Sequence, residues 1–250
     1  MSTPHDVVDV PVAADRLIRP EDDGTDEEVW APWLADLSPA DVPRGHVLVV
    51  APHPDDETLG AGGLVAAASM KGARVSVIAC TDGEAASERP GLGHIRQREL
   101  ADALGELTGG TGIAPERLQL PDGGLWGVTD VLRDQLFAHV QRADLVVGPW
   151  AHDGHPDHDA VGAVLGDLCR QLGRALWSYP IWAWHWGTPA TFGAETLRTV
   201  TLPTAARVRK RKAMWCHRSQ IDAGGDAVLT TAVRRHFLRP VETFVVERPS

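Results

Sequence analysis

The sequence predicts an α/β fold, in which a mostly parallel sheet carries helices on both faces. Continuous runs of β-branched apolar residues, such as Val47–Val50, are typical of strands buried on both sides. These runs alternate with longer stretches of helical periodicity, as βαβ units require. Clusters of polar residues follow the runs directly, and ligands bind at that edge of such sheets.

Six strands are expected where short apolar runs end at proline, glycine, aspartate or a change of polarity. The first run stops at Pro52, and the fifth is unusually rich in tryptophan. The expected strands cover residues 46–52, 74–81, 118–120, 144–148, 176–186 and 241–247, the last as an edge strand.

Helices are expected between these strands. Gly72 suits the C-cap of the first helix, and Pro156 suits the first turn of the fourth, because proline lacks the N–H that would be unpaired there. The helices are expected at about 60–71, 95–108, 128–141, 156–172 and 205–221.

Acidic residues are concentrated at the N-terminus. Residues 1–45 contain eleven acids and three arginines, so about −8 of the net charge of −10 belongs to this segment. We interpret residues 1–45 as a partly mobile acidic extension, with a short helix at about 29–42, and residues 46–250 as a single domain. A nucleic-acid partner is not expected, because the chain has no excess of basic residues.

Membrane insertion and disulfides are not expected either. No apolar run reaches the roughly 18 residues of a membrane span, and no signal peptide is recognised, so a cytoplasmic location is predicted. Cys80, Cys169 and Cys216 lie in dissimilar contexts without a CxxC motif, which favours free thiols.

The first chemical motif is His53-Pro54-Asp55-Asp56-Glu57, directly after the first strand. A histidine and a carboxylate three residues apart in a tight turn can converge on a divalent metal, and mixed nitrogen and oxygen ligands favour zinc. Adjacent side chains point in different directions, so one of the two aspartates is free to act as a base toward a metal-activated water.

The second motif is His155-Pro156-Asp157-His158, at the end of the fourth strand. Three ligands, most simply His53, Asp56 and His158, would leave one position open, as in catalytic zinc sites. Asp55 then becomes the expected base, His155 the acid or oxyanion donor, and Asp157 a carboxylate that orients a histidine. Gly60-Ala61-Gly62-Gly63 lacks the spacing of a dinucleotide site, and we interpret it as helix packing.

These two motifs resemble the LmbE-like, or PIG-L-type, family of zinc-dependent de-N-acetylases, over about residues 46–221. The resemblance implies a Rossmann-like sheet and hydrolysis of an N-acetyl group, commonly on glucosamine. By motif position it assigns His53, Asp56 and His158 to the metal, Asp55 to the base and His155 to the acid. Asp153 stands where some members of the family carry a tyrosine.

Four further residues are candidates for binding substrate, each with a structural alternative. Arg96 and Asp122 resemble substrate-binding positions of the family, although a surface arginine and a turn aspartate are the alternatives. His217 lies in a segment similar to a late family motif, but such a histidine often only packs. Trp184 is central in an even-spaced stripe with Trp182 and Trp186, which could stack on a sugar from one face of a strand or pack in a core or dimer.

The sequence therefore predicts a hydrolase that uses Zn²⁺, or another divalent transition metal, to remove an N-acetyl group from an amino sugar or glycoconjugate. Two alternatives stay open: an amidase acting on a larger sugar–thiol conjugate, and a catalytically silent sugar-binding module. The expected partner is a small N-acetylated sugar, and a homo-oligomer is compatible with the sequence. The pattern does not name the acceptor, because loops that vary freely on a scaffold build the pocket.

Overall fold

The computed structural model describes residues 20–110, 113–193, 195–221 and 227–247. Seven strands form one sheet in this part of the chain. They are β1 (His46–Ala51), β2 (Arg74–Ala79), β3 (Glu116–Arg117), β4 (Leu145–Pro149), β5 (Ala175–Tyr179), β6 (Leu197–Thr201) and β7 (Val241–Glu247).

Helices connect the strands and cover the sheet. They are α1 (Glu27–Ala35), α2 (Asp56–Met70), α3 (Leu92–Thr108), α4 (Thr129–Arg142), α5 (Pro156–Leu172), α6 (Ala183–Trp186), α7 (Thr204–Met214), α8 (Arg218–Ile221) and α9 (Thr231–Arg235). Short 3₁₀ turns cover Glu84–Ala86, Leu125–Val128, Pro189–Phe192 and His236–Leu238. Within the described ranges, no helix is both long and apolar enough to cross a bilayer.

The predicted fold class is confirmed. The strand order is β3-β2-β1-β4-β5-β7-β6, and β1 to β5 pair in parallel throughout. Alternate residues of β1 enter two separate cores: Val47 and Val49 pack with α2 and α3, whereas Leu48 and Val50 pack with α4 and α5. The continuous apolar run is thus explained by helices on both faces.

The strand order places the two chemical motifs beside each other. The chain moves from β1 outward to β2 and β3, and then returns to place β4 on the other side of β1. A crevice opens at such a reversal, outside the carboxyl ends of the two central strands. The first motif follows β1 and the second follows β4, so both lie at this crevice.

The C-terminal half departs from the predicted strands. β7 is not an edge strand: it pairs antiparallel with both β5 and β6, and β6, which the sequence pattern did not reveal, forms the edge. The third strand lies at Glu116–Arg117, just before the predicted position. The expected helix at 205–221 is divided into α7 and α8.

The predicted strand at 176–186 ends at Tyr179, and its aromatic part forms the single turn of α6. Pro180 follows β5 without a backbone donor, and the N–H groups of the next three residues bind a side-chain carboxylate instead of a strand. The three tryptophans therefore do not share one face of a strand, and that prediction was wrong.

The acidic extension is partly described. Residues 1–19 of the expected mobile arm lie outside the described residues. The predicted short helix is present as α1, which begins earlier than expected, at Glu27 with Asp26 as its N-cap. Trp30 of α1 is fully buried in the main core. The three cysteines are free thiols, as expected.

Candidate metal centre and active site

Two strand ends and two helix starts form the candidate site. β1 ends at Ala51, and α2 begins at Asp56 after a four-residue turn. Within this turn Asp55 has a φ of 144°, a backbone conformation that residues other than glycine rarely adopt. Such strain is concentrated at functional sites, where the surrounding contacts hold it.

Three side chains of the two motifs converge. Asp56 Oδ2 lies 3.2 Å from His53 Nδ1 and 3.2 Å from His158 Nε2. The donor atoms of the three residues all lie within 4.8 Å of one another. The structure thus brings together the set His53, Asp56 and His158.

Neighbouring carboxylates fix the orientation of both imidazoles. His53 Nε2 faces Asp157 Oδ2 at 3.1 Å and Asp122 Oδ1 at 3.2 Å, while His158 Nδ1 faces Asp153 Oδ2 at 2.7 Å. A proton on these outer nitrogens leaves the lone pairs of His53 Nδ1 and His158 Nε2 directed at Asp56. Carboxylates commonly hold metal-binding histidines in this way.

The charge balance of this cluster fits a cation. Burial opposes protonation of both histidines, but hydrogen bonds to Asp122, Asp157 and Asp56 raise the pKa of His53 well above its usual value. For His158, Asp56 and Asp153 outweigh burial and raise the pKa to about 9. The carboxylates therefore demand positive charge at this point, and a divalent ion satisfies that demand with the same donor atoms.

A second set of donors lies beside the first. His53, His155 and Asp157 also offer atoms within 4.8 Å of one another. In this set, however, His155 Nδ1 accepts the backbone N–H of Asp157 at 3.2 Å, and Asp157 accepts the N–H groups of Gly123 and Leu125 at 2.7 and 3.0 Å. Both oxygens of Asp157 therefore already accept backbone N–H groups, whereas Asp56 accepts one, from His53 at 3.0 Å through Oδ2, so the first set fits a metal better.

Asp55 lies beside the three converging side chains and lines a cavity that opens over them, although it is almost fully buried. Burial, together with the negative charge of Asp56, raises the pKa of its carboxyl well above the usual range. A carboxylate of raised pKa accepts a proton more readily at neutral pH.

His155 is the N-cap of α5, and Pro156 lies in the first turn of this helix, as expected. Because its Nδ1 accepts a backbone N–H, the proton of the neutral ring resides on Nε2. Burial, and the nearby His158 and His53, lower the pKa of His155 to about 3, so the ring is neutral. His155 therefore presents one N–H donor at the cavity that it lines.

Asp153 was not among the candidate site residues, although the sequence drew attention to it. Its carboxylate binds His158 and also accepts the backbone N–H groups of Ile181, Trp182 and Ala183 at 2.8 to 3.0 Å. The side chain is fully buried. The three backbone partners lie about thirty residues away in sequence, so no local pattern could reveal this role. The available signal was a carboxylate five residues before the candidate ligand His158.

A cavity of about 250 Å³ opens over the cluster. Arg96 and Asp122 both line it, and Arg96 Nε has no hydrogen-bond partner within the described part of the chain. Gly83 has a φ of 65°, which favours glycine, and a Cβ there would force the guanidinium of Arg96 to move. Asp122 is less free, because its Oδ2 also accepts the N–H of Ala85 at 2.8 Å.

The other two candidates for substrate contact do not line this cavity. Trp184 is buried in an aromatic cluster, with its ring centroid 5.0 Å from Trp30 and 5.3 Å from Phe192, and Trp182 lies at the cavity instead. His217 is fully buried behind the site, where its Nε2 contacts Thr58 Oγ1 at 3.2 Å.

Parts of this chain are similar in sequence to known proteins. Residues 48–169 match the model of the PIG-L family, described as GlcNAc-PI de-N-acetylase. A Bacillus subtilis protein named probable N-acetyl-alpha-D-glucosaminyl L-malate deacetylase 2 is 32% identical over 141 residues, which are 51% of this chain and 62% of that protein. A Rhodococcus erythropolis protein named 1D-myo-inositol 2-acetamido-2-deoxy-alpha-D-glucopyranoside deacetylase is 28% identical over 61% of this chain and 62% of its own length. The chain thus spans less than two thirds of each relative.

Several solved structures are similar in fold to this chain. A conserved protein from Thermus thermophilus has a TM-score of 0.61 and 28% identity, covering 82% of this chain and 95% of its own. The N,N'-diacetylchitobiose deacetylase of Pyrococcus horikoshii has a TM-score of 0.59 and 23% identity, covering 91% of this chain and 95% of its own, and is similar in fold. Residues 48–169, just under half of the chain, thus match the PIG-L, or LmbE-like, family domain.

Proposed function

We propose that this protein is a metal-dependent hydrolase that removes the acetyl group from the nitrogen of an amino sugar. The observation that carries the proposal is the convergence of His53, Asp56 and His158 beside Asp55, at the base of a cavity. The family match supports the reacting bond, and the two curated relatives bear the names of deacetylases that act on N-acetylglucosaminyl compounds.

His53, Asp56 and His158 would hold the metal. Their two nitrogens and one oxygen suit zinc, and other divalent transition metals accept the same donors. When bound, such an ion lowers the pKa of a water molecule and polarises a carbonyl oxygen. Asp157 and Asp153 hold the two histidines in the orientation that this requires.

In the proposed reaction, Asp55 transfers a proton and His155 donates a hydrogen bond. Asp55 takes a proton from the attacking water as the water oxygen forms the new bond to the carbonyl carbon of the acetyl group. His155 donates its Nε2–H to the carbonyl oxygen, which becomes negative in the tetrahedral intermediate. Asp55 then gives the proton to the leaving nitrogen as the C–N bond breaks, so that acetate and a free amine are released.

Arg96 and Asp122 lie where they can orient the sugar. The guanidinium of Arg96 offers donors to hydroxyl or carboxylate oxygens of the substrate, because its Nε is unpaired within the described residues. Asp122 accepts hydrogen bonds from hydroxyls while it also supports His53. The proposed substrate class is therefore an N-acetylglucosaminide with polar groups near the acetamide.

Acetate release from defined substrates tests the proposal. The purified full chain, loaded with Zn²⁺, is incubated with the methyl, malyl and inositol glycosides of N-acetylglucosamine and with an amide of a sugar–thiol conjugate. We expect acetate from at least one glycoside, loss of that activity with a chelator, and its return with Zn²⁺. Acetate from none of the glycosides, or unchanged release by Asp55→Asn, contradicts the proposal, whereas cleavage of the thiol conjugate alone identifies the larger amide as the substrate.

A further inference from the structure

One wall of the cavity comes from outside the segment that the family model matches. Arg96, Asp122 and His155, on the polar side, all lie within residues 48–169. A different side, which we name the apolar wall, is built from later parts of the chain. The apolar wall consists of Ile181, Trp182, Val228, Leu229 and Val233.

The first part of the apolar wall is tied to the N-terminus. We name residues 20–35 the N-terminal segment. Within it, Thr25 donates its backbone N–H to His185 O at 2.7 Å and its hydroxyl to Gly187 O at 2.6 Å. Trp30 Nε1 donates to Trp184 O at 3.1 Å. The turn directly after Ile181 and Trp182 is thus fixed from outside.

The second part of the apolar wall is tied to the same segment. Thr230 Oγ1 accepts the N–H of Val233 at 3.3 Å and donates to Pro20 O at 2.9 Å. Arg235 donates to Asp23 O at 2.5 Å. The short helix α9, which carries Val233, is therefore held at both ends by backbone oxygens of the N-terminal segment.

Glu27 joins these contacts into one unit. Its carboxylate binds Arg239 at 2.7 and 2.8 Å and His236 Nδ1 at 2.5 Å. The guanidinium carbon of Arg239 lies 4.6 Å from the ring centroid of Trp184 and 5.8 Å from that of Trp30. One side chain of the N-terminal segment thus links both parts of the chain that form the apolar wall.

Single-turn helices have little stability of their own, so the position of the apolar wall depends on such external contacts. We propose that the N-terminal segment belongs to the substrate-binding apparatus, where it positions the apolar wall to receive an apolar group of the N-acetylated sugar. This inference rests on the proposed deacetylase function and adds to it a substrate class, namely glycosides whose aglycone is apolar. Glu27 is then a positioning residue, because it acts through the apolar wall and does not touch the cavity.

Two substrates and two matched variants test this inference. The steady-state constants of the Zn²⁺-loaded full chain are measured with the methyl and the hexyl glycoside of N-acetylglucosamine. We expect a KM for the hexyl glycoside about tenfold below that for the methyl glycoside, as is typical when an apolar group enters a matching pocket. Equal KM values for the two glycosides overturn the inference without any variant.

Glu27→Gln keeps the shape of the side chain but removes its charge, and Glu28→Gln changes an exposed neighbour in the same way. We expect Glu27→Gln to remove most of the preference for the hexyl glycoside while kcat stays within about twofold, and Glu28→Gln to retain the preference. An equal loss with both glycosides, or a loss in kcat alone, would indicate a merely structural role and overturn the inference. If Glu27→Gln does not fold, the preference for the hexyl glycoside is measured with Val228→Ser, which alters a half-buried residue of the apolar wall itself. An unchanged preference in Val228→Ser overturns the inference.

Binding separates this inference from the proposed function. Acetate release from neither glycoside contradicts the deacetylase proposal, but both glycosides can still be titrated while tryptophan fluorescence is followed, since Trp182 lies on the apolar wall. Tighter binding of the hexyl than of the methyl glycoside supports the inference, and equal binding overturns it.

Discussion

The carboxylate of Glu57, in the first turn of α2, accepts the backbone N–H of Asp55, the residue just before this helix, at 3.0 Å. The other oxygen of Glu57 accepts the hydroxyl proton of Thr58 at 2.5 Å, and Thr58 Oγ1 in turn contacts His217 Nε2. Burial and the neighbouring Arg96 lower the pKa of His217 to about 3, so the ring is neutral. Because Thr58 gives its hydroxyl proton to Glu57, its oxygen accepts the Nε2–H of His217. A chain of hydrogen bonds therefore holds Asp55 in its strained conformation from behind.

Glu57→Gln tests whether this support is needed for turnover. An amide cannot accept from two donors in the same geometry, so Asp55 should relax from its φ of 144°. The buried N–H of Asp55 would lose its partner, which costs about 1 to 3 kcal/mol and predicts a decrease in kcat of roughly 5- to 100-fold. Zinc content should stay unchanged, and the exposed Glu88→Gln serves as the control. Normal kcat in Glu57→Gln contradicts the support.

Asp55→Asn should separate metal binding from catalysis. The amide cannot take a proton from water, so we expect kcat to fall by about 10² to 10⁴. The zinc content, measured by atomic absorption, should stay near one per chain, because His53, Asp56 and His158 are unchanged. Turnover close to that of the unmodified protein would remove Asp55 from the mechanism.

Zinc should raise the thermal unfolding temperature of the protein, because an ion that binds only the folded state stabilises it by mass action. His158→Ala removes one of the three converging donors, so the rise should be lost. The measurement is the midpoint of thermal unfolding with and without Zn²⁺ after treatment with a chelator. A shift of the same size in His158→Ala would place the ion elsewhere.

Asp153→Asn should lower the affinity for zinc, although Asp153 is not one of the three proposed ligands. Asp153 binds the outer nitrogen of His158 at 2.7 Å, and such supporting carboxylates typically contribute 10- to 100-fold to metal affinity. We expect a loss of that size in competition with a zinc-binding dye. Asp167→Asn, on the exposed face of α5, is the matched control and should retain full affinity. Equal affinities in the two variants exclude the supporting role.

Acid should weaken the attachment of the N-terminal segment. Burial of Glu27 opposes ionisation, but hydrogen bonds with His236 and Arg239 outweigh it and lower the pKa of the carboxyl from 4.5 to about 2. Because the folded-state pKa is the lower one, the contribution of Glu27 is complete above about pH 4.5 and is lost as the pH falls toward 2.

Glu27→Gln should remove this component of the pH dependence. Glu27 is partly exposed, so solvent screening reduces the expected difference in the free energy of unfolding to about 1 kcal/mol at pH 7. Urea unfolding at pH 7 and at pH 3 measures it, with Glu28→Gln as control. A difference between Glu27→Gln and the unmodified chain that is the same at both pH values contradicts this assignment.

Two of the departures from the predicted fold share one physical cause. The pattern of residues 176–186 favours a strand, but Pro180 lacks a donor and Asp153 binds the next three N–H groups, so α6 forms instead. β7 resembles an edge strand in sequence, yet β6 pairs with it and makes it internal. In each instance, a partner distant in sequence overrides the local preference.

The sequence by itself determined the α/β class and the two motifs at the carboxyl ends of β1 and β4, because apolar periodicity and the spacing of histidine and aspartate are local properties. It could not determine which carboxylate orients which imidazole, or that Asp153 serves both His158 and the turn after β5. It also could not show that Trp184 is buried with Trp30, or that Glu27 reaches Arg239. Only the tertiary structure decided these relationships, because strand order and helix packing bring together residues that are up to 212 positions apart.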